Sequence, residues 1–201
     1  MIGLDRRLLL AGGLMLPGAV LAAKLAPPDA EVNESAVHWP IGGGREQHGF
    51  MAVSARARGR QPAVLVIGGR DTPDAFARAL VHSVAQAGFV ACTINAAAVV
   101  PDRLTDDLRA TAAWLANGRY GTGRIGAIGL GSGTAGTIAL AAGGALVAAV
   151  LFGEGTAPAG IPILSFRRQG SDWQEAADPN MRGDWAESWQ RALHYLRAHL
   201  T

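Results

Sequence analysis

Arg124-Ile-Gly-Ala-Ile-Gly-Leu-Gly-Ser-Gly-Thr-Ala-Gly136 decides how the rest of the chain reads. Ile125, Ala127 and Ile128 are small or branched and apolar, as a strand covered on both faces requires. Glycines follow at 129, 131, 133 and 136, and Thr137-Ile-Ala-Leu-Ala-Ala142 resumes as an apolar helical run. The stretch is thus a buried strand, a tight turn and the start of a helix. A strand that turns this sharply into a helix puts the turn at the carboxyl edge of a sheet, where open α/β sheets bind ligands.

Two chemistries share this pattern. In the nucleophile elbow, Gly-x-Nuc-x-Gly, the apex is strained, and its neighbours two before and two after must be small because strand and helix nearly touch. With Gly131 at the apex, the flanks are Gly129 and Gly133, which fit. With Ser132 at the apex they are Leu130 and Thr134, which do not. The frame that fits has no nucleophile. The dinucleotide fingerprint, Gly-x-Gly-x-x-Gly, is met by Gly131, Gly133 and Gly136, with Glu154 at the end of the next apolar run as an acid for a ribose hydroxyl. Glycines that only allow close helix–strand packing would leave the same trace.

The rest of the chain arbitrates. Its 201 residues suit one ordinary domain. The pI is near 9.2, but the formal charge is only +2, Lys24 is the only lysine, and no run of Lys and Arg occurs, so nucleic acid is not an expected partner. Residues 1–23 read as an export signal. Asp5-Arg6-Arg7-Leu8-Leu9-Leu10 opens an apolar stretch that is short for a membrane span and is interrupted by Gly12, Gly13 and Pro17. Val20-Leu21-Ala22 offers small residues to a signal peptidase. The paired arginines resemble a twin-arginine signal, with Asp5 where Ser or Thr is usual. An ordinary secretory signal and an uncleaved anchor are the alternatives. The expectation is an exported, periplasmic protein whose mature chain starts near Ala23, with no stable membrane span after cleavage. Residues 24–35 read as a linker. Cys92 is the single cysteine, so there is neither an intrachain disulfide nor a cysteine cluster for zinc, and it reads as a small core residue.

Residues 36–40 and 49–55 read as a hairpin turned at 41–46. Gly42-Gly43-Gly44 precedes no helix pattern, so it is not a phosphate loop, and Arg56, Arg58 and Arg60 read as a solvated connection. Pro62-Ala-Val-Leu-Val-Ile-Gly68 is an interior parallel strand. A helix follows, with Thr72 as its N-cap, Pro73 at its first position and Phe76, Leu80, Val84 and Ala87 on one face, ended by Gly88. Strand 89–94, a small-residue loop at 95–100 and helix 101–117, with Leu104, Leu108, Thr111 and Leu115 in one stripe, lead to the glycine turn. Strands at 145–152 and 161–166 follow. Asp184 and Glu187 make a capping-box-like start to a last helix carrying Trp185, Trp189, Leu193, Leu196 and Leu200 inward. A hairpin followed by strands alternating with helices indicates a three-layer, mostly parallel α/β sheet.

In order and spacing the chain resembles the dienelactone hydrolase family of α/β-hydrolases over roughly residues 36–200. The resemblance rests on Gly49-Phe-Met-Ala-Val, Pro62-Ala-Val-Leu-Val-Ile, Ala85-Gln-Ala-Gly-Phe-Val-Ala, Gly123-Arg-Ile-Gly-Ala-Ile-Gly-Leu-Gly-Ser-Gly and Trp189-Gln-Arg-Ala-Leu-His-Tyr-Leu-Arg-Ala-His-Leu. It implies covalent hydrolysis by a Cys or Ser with Asp and His partners. Carried over residue by residue, the nucleophile falls on Gly131 and is absent. The backbone N–H that would donate to an oxyanion falls on Ser132 and needs no particular side chain. The family's His-Glu or similar pair after the first parallel strand falls on Gly68-Gly69, leaving Arg70 as the nearest polar group. Two strands should lead to the acid and then the histidine, but only 161–166 precedes the last helix, as if a strand–helix unit of roughly 30 residues were missing. Asp172 matches either the acid or the place of the histidine. His38 and His48 flank the hairpin, and His82, His194 and His199 lie on helices, so none stands on a carboxyl-edge loop.

The expectation is therefore an α/β-hydrolase-like domain over 36–201 with an N-terminal hairpin and a shortened region after the elbow. It would be a scaffold that has lost its triad and that binds a small carbonyl or carboxylate ligand at Gly69, Arg70, Gly131 and Ser132, or offers a surface to a partner. Ser132 and Asp172 are what remains for catalysis. The competing readings are a serine esterase acting through Ser132 and a dinucleotide-binding oxidoreductase using Gly131, Gly133 and Gly136. Two strand–helix units precede the glycine turn and one strand follows Glu154, which the dinucleotide reading leaves unexplained. No nicotinamide, flavin or metal is expected.

Overall fold

The computed structural model describes residues 31–69, 72, 74–95, 103–178 and 180–201. The segment read as an export signal, most of the segment read as a linker, and Arg70 and Pro73 lie outside the described residues. The chain runs β1 (Val32–Gly42), β2 (Arg45–Ser54), β3 (Gln61–Gly68), α1 (Asp74–Gln86), β4 (Val90–Asn95), α2 (Leu104–Asn117), β5 (Gly121–Leu130), a single 3-10 turn (Gly131–Gly133), α3 (Thr134–Ala142), β6 (Ala148–Phe152), β7 (Ile163–Gln169), β8 (Asp172–Glu175), β9 (Arg182–Gly183) and α4 (Trp185–Leu200). One nine-stranded sheet holds them in the order β1-β2-β4-β3-β5-β6-β7-β8-β9.

The layers follow from alternation along the central strands. Val64 and Val66 of β3 point into one core with Leu80 and Val84 of α1 and Trp189, Leu193 and Leu196 of α4. Ala63, Leu65 and Ile67 point into the other, with Leu108, Ala112 and Leu115 of α2 and Leu140 of α3. Both faces of β3 are covered, which is why its sequence is continuously apolar. α4 starts where the sequence places it: the Asp184 side chain accepts from the Glu187 N–H at 2.9 Å.

The sheet is mixed, not mostly parallel. β3, β4, β5, β6 and β7 are parallel neighbours, while the pairs β1–β2, β2–β4, β7–β8 and β8–β9 are antiparallel. After β7 the chain turns back on itself through Gly170 (φ 64°) and Ser171, with Gln169 opposite Asp172. Such a two-residue connection is a hairpin turn, and a glycine with positive φ suits it. A short antiparallel ribbon thus stands where a further parallel strand and helix were sought. β1 begins at Val32, four residues before the expected strand.

The hairpin is fastened to α2 by a polar chain beneath a stacked pair. Trp39 is fully buried, lies 4.5 Å from the Trp114 ring, and donates from Nε1 to Thr111 Oγ1 at 3.0 Å. Thr111 donates in turn to the Asp107 carbonyl at 2.8 Å. The Asp107 carboxylate, 2% exposed, takes both ends of the Arg45 guanidinium at 2.9 and 2.8 Å. Those hydrogen bonds hold the Asp107 carboxyl below the usual carboxylate range, against the opposing effect of burial.

Trp39→Ala would remove this anchor and the donor to Thr111 Oγ1, whose hydroxyl would keep its bond to the Asp107 carbonyl. A loss of about 3–5 kcal/mol is expected, measured as the shift in urea denaturation. The Asp107 carboxyl has a lower pKa folded than unfolded, so its contribution is full above the unfolded value and is lost as pH falls through the folded one. Asp107→Asn should therefore be markedly less stable than the parent at pH 7. The gap should narrow as the pH is taken below about 4, near the unfolded carboxylate pKa.

Candidate functional site

β5 ends at Leu130, and the chain then passes through Gly131 with φ 52°, in the left-handed region. The two glycines on either side explain why it must turn there. A Cβ on Gly129 would lie 2.6 Å from Thr137 Oγ1 and 2.8 Å from Thr134 Cα, so β5 touches the first turns of α3. A Cβ on Gly133 would overlap the Ile67 carbonyl oxygen and lie 3.0 Å from the Gly68 carbonyl carbon, so the turn abuts the end of β3. Gly136 differs: its missing Cβ would meet Leu108 Cδ1 of α2 at 2.8 Å and Ile67 Cγ2 of β3 at 3.6 Å, so its tightest approach is to α2. In a dinucleotide fingerprint the third glycine serves helix–strand packing.

The segment after β6 lies over the turn. A Cβ on Gly153 would stand 3.1 Å from the Gly131 carbonyl oxygen and 3.2 Å from Thr134 Cγ2. The Thr134 hydroxyl lies 2.8 Å from the carbonyl oxygens of both Gly131 and Glu154 and shares its proton between them. The Glu154 side chain is exposed.

Of the residues singled out in the sequence, Gly69, Gly131 and Ser132 come to one part of the carboxyl edge, through the contact of Gly133 with Ile67 and Gly68. Ser132 is exposed within the 3-10 turn. The Gly69 N–H is taken by Thr72 Oγ1 at 3.2 Å, and the Thr72 N–H returns to the Gly69 carbonyl at 3.1 Å. Thr72 thus binds back into its own loop. Asp172 lies elsewhere. β7 runs three residues past Phe166, the partner of the last residue of β6, so the β7–β8 ribbon projects about 10 Å beyond that edge. Asp172 sits at its tip, accepting from the Ser171 hydroxyl at 3.0 Å.

The histidines are dispersed. His38 and His48 face each other across the hairpin, with ring centroids 6.1 Å apart. His82 lies on α1. His194 and His199 lie on α4, with His199 Nδ1 2.9 Å from the Tyr195 carbonyl. Cys92 is buried in β4, and burial pushes its thiol up to about 12, so it is neither an anion nor accessible near neutral pH. Among the described residues no group of three His, Cys, Asp or Glu could hold a metal ion, and no helix is long and apolar enough to cross a membrane.

Where the resemblance asks for an acid and a base after the parallel strands, the structure has aromatic rings. Phe152 stacks on Phe166 at 4.8 Å, Trp173 meets Phe152 edge-on at 5.3 Å, and Trp185 lies 4.8 Å from Phe152 and 5.5 Å from Phe76. Trp185 Nε1 is buried and has no hydrogen-bond partner in the structure.

A cavity of about 330 Å³ opens on the other side of Gly68, between β2, β4 and α1. Its polar lining is His48, Thr72, Asp74, Arg78 and Thr93, and Phe50 and Ala77 are among its apolar walls. The Arg78 guanidinium lies 4.9 Å above the Phe50 ring. Sequence reasoning did not find Arg78, Asp74 or Thr93. The local signal is that Asp74 and Arg78 are one helical turn apart on α1, off the Phe76, Leu80 and Val84 stripe and in line with the buried Val81 and Ala85.

No family model and no curated protein sequence matches the chain. Solved structures do match. A protein named m3DLH aligns with 84% of this chain and 78% of its own, at a TM-score of 0.58 and 18% identity. A dienelactone hydrolase-like promiscuous phosphotriesterase from metagenomic libraries aligns with 84% of this chain and 77% of its own, at a TM-score of 0.56 and 20% identity. A hypothetical protein from Pseudomonas aeruginosa aligns with 63% of this chain, which spans 44% of that protein, at a TM-score of 0.55 and 20% identity. The chain therefore has the α/β fold of dienelactone hydrolase-like proteins.

Proposed function

We propose that this is a non-catalytic member of the hydrolase fold, exported by its N-terminal segment, which binds a small carbonyl or carboxylate compound at the carboxyl edge. The observation that carries the reading is the apex of the turn. Gly131 holds the left-handed conformation between two glycines that admit no Cβ, which is the place of a hydrolase nucleophile, and it has no side chain. Ser132 is one residue on, so its hydroxyl leaves the apex in a different direction. The elements after β7 bring Trp173 and Trp185 to this end of the sheet, while their histidines, His194 and His199, lie in the second half of α4, so a base to activate a hydroxyl is missing as well.

Binding does not need that chemistry. The cavity beside Gly68 has Arg78 as its cation and His48, Thr72 and Thr93 as hydrogen-bonding groups, with Phe50 and Ala77 as apolar walls. A carboxylate would pair with the guanidinium while its apolar body packs in the cavity. The dinucleotide reading is weaker. The 153–154 segment lies on the glycine turn, and Gly136 faces α2, so two of that reading's requirements are used for packing.

Purified protein should not react with a fluorophosphonate probe, and it should hydrolyse short aryl esters no faster than Ser132→Ala. Gly131→Cys alone should restore little, because no base is supplied. Stoichiometric labelling at Ser132, lost in Ser132→Ala, would overturn the non-catalytic reading. For binding, a panel of small monocarboxylates is screened by thermal shift. A compound present at 100 times its Kd should stabilise by about 2.7 kcal/mol, and Arg78→Ala should abolish that gain. Titration with NAD or FAD should give no saturable heat, and a micromolar site removed by Glu154→Ala would favour the oxidoreductase instead.

A further inference from the structure

We propose that the amino edge of the sheet, opposite the glycine turn, is a docking surface for an anionic lipid bilayer. Arg58, Arg60, Arg119, Arg124 and Arg197 are exposed there, on the connections that precede β3 and β5, on β5 itself and on the last turn of α4. The ion pairs among the described residues are Arg45–Asp107, Arg109–Asp106 and Arg191–Glu175, and none involves these five. Among the described residues, the acidic side chains near this edge are Glu31 and Glu34, at the start of β1.

Part of this charge has a structural use. Arg60 donates to the Gly118 carbonyl at 3.2 Å, Arg124 to those of Leu200 and His199 at 3.0 and 2.7 Å, and Arg197 to that of Ala87 at 2.7 Å. These are the carbonyl ends of α2, α4 and α1, where cations are favoured. Neutral carbonyls fix the direction of the guanidinium groups and leave their charge uncompensated. Arg58 and Arg119 have no such use. Arg119 lies over the Tyr120 ring at 4.5 Å, and among the described residues no hydrogen bond or ion pair holds Arg58.

The second observation is where the chain enters the fold. The Glu31 carbonyl accepts from the Ala55 N–H at 2.9 Å, and Val32 pairs with Ser54, so the N-terminal segment joins the domain at this same edge. Residues 24–30 separate it from the apolar stretch that ends at Ala23, and seven residues reach at most about 25 Å. Retained as the uncleaved anchor, one of the alternatives for residues 1–23, that apolar segment would hold the arginine edge against the headgroups and turn the cavity and the glycine turn towards solvent; in a cleaved chain the arginine edge alone would bind. The shared position of the arginines and the apolar segment favours a lipid surface over a nucleic acid.

The test is partitioning of the full chain onto vesicles of phosphatidylcholine with and without phosphatidylglycerol. The apolar segment contributes to both, so the preference for the anionic vesicle isolates the arginine edge. That preference should fall steeply between low and physiological salt, where the screening length is about 8 Å. Each arginine near the surface is worth about fivefold in partitioning, so Arg58→Gln with Arg119→Gln should lower the preference about 25-fold. The same change at Arg167 and Arg168, on the opposite edge, should leave it unaltered. Equal partitioning onto the two vesicles, a preference insensitive to salt, or one retained by the Arg58/Arg119 variant would overturn the proposal. So would release from the vesicles by duplex DNA at micromolar concentration, which would assign the edge to nucleic acid. The salt series on the unaltered chain decides even if the variants fold poorly.

Discussion

Three pieces of backbone meet where no side chain fits: the end of β3, the end of β5 and the first turn of α3. Gly129 lets the strand touch the helix, and Gly133 lets the helix touch the neighbouring strand. The chain between them has no extended or right-handed path, and it passes through the left-handed conformation at Gly131. An ordinary residue there costs roughly 1–2 kcal/mol, which a hydrolase accepts because the strained residue is its nucleophile. Glycine takes the same path without that cost. At Gly131 the turn serves close packing of β3, β5 and α3, and glycine makes it without strain.

The region after β7 is held together by aromatic packing. An acid and a base at a sheet edge are polar groups that must be kept partly dry and mutually oriented. Here the corresponding elements contribute Trp173 and Trp185 to a cluster with Phe76, Phe152, Phe166 and Trp189. Each offset or edge-on aromatic pair adds about 0.5–1.5 kcal/mol beyond its buried area. The cluster also joins α1 to α4 through the Phe76–Trp185 contact, across the ends of β6 and β7. Its one defect is the unpartnered Trp185 Nε1, a cost of roughly 1–3 kcal/mol that the surrounding contacts outweigh.

What could be read from the sequence was what burial writes into it. β3, β4, β5 and β6 are covered on both faces and so appear as apolar runs. α1, α2 and α4 each bury one stripe, and their stripes were visible at helical spacing. The β7–β8 ribbon was not legible, because Arg167, Arg168, Gln169 and Asp172 are exposed and the pairing is made by backbone groups that leave no mark on side-chain type. The same holds for the start of β1, where Asn33, Glu34, Ser35 and Ala36 are all exposed although the strand is regular. At the site, the glycine spacing located Gly131 and Ser132. The cavity around Arg78 was hidden, since an arginine off the apolar stripe of an amphipathic helix looks the same whether it faces solvent or a groove. The Arg45–Asp107 pair, 62 residues apart, has no local trace at all.

The topology also fixes where charge accumulates. α1, α2 and α3 each follow a parallel strand and run back against it, and α4 runs the same way, from Phe152 near its start to Arg124 near its end. All four helix dipoles therefore point their positive ends at the carboxyl edge. Acids occupy those ends: Asp74 on α1, Asp106 and Asp107 on α2, Asp184 and Glu187 on α4. They offset the positive ends, as the arginines at the amino edge offset the negative ones. An anionic ligand at the carboxyl edge thus gains little from α1, whose first turn already carries Asp74. It depends instead on a full positive charge held by a side chain, and Arg78, one turn further along the same helix and facing the same cavity, is that charge among the described residues lining it.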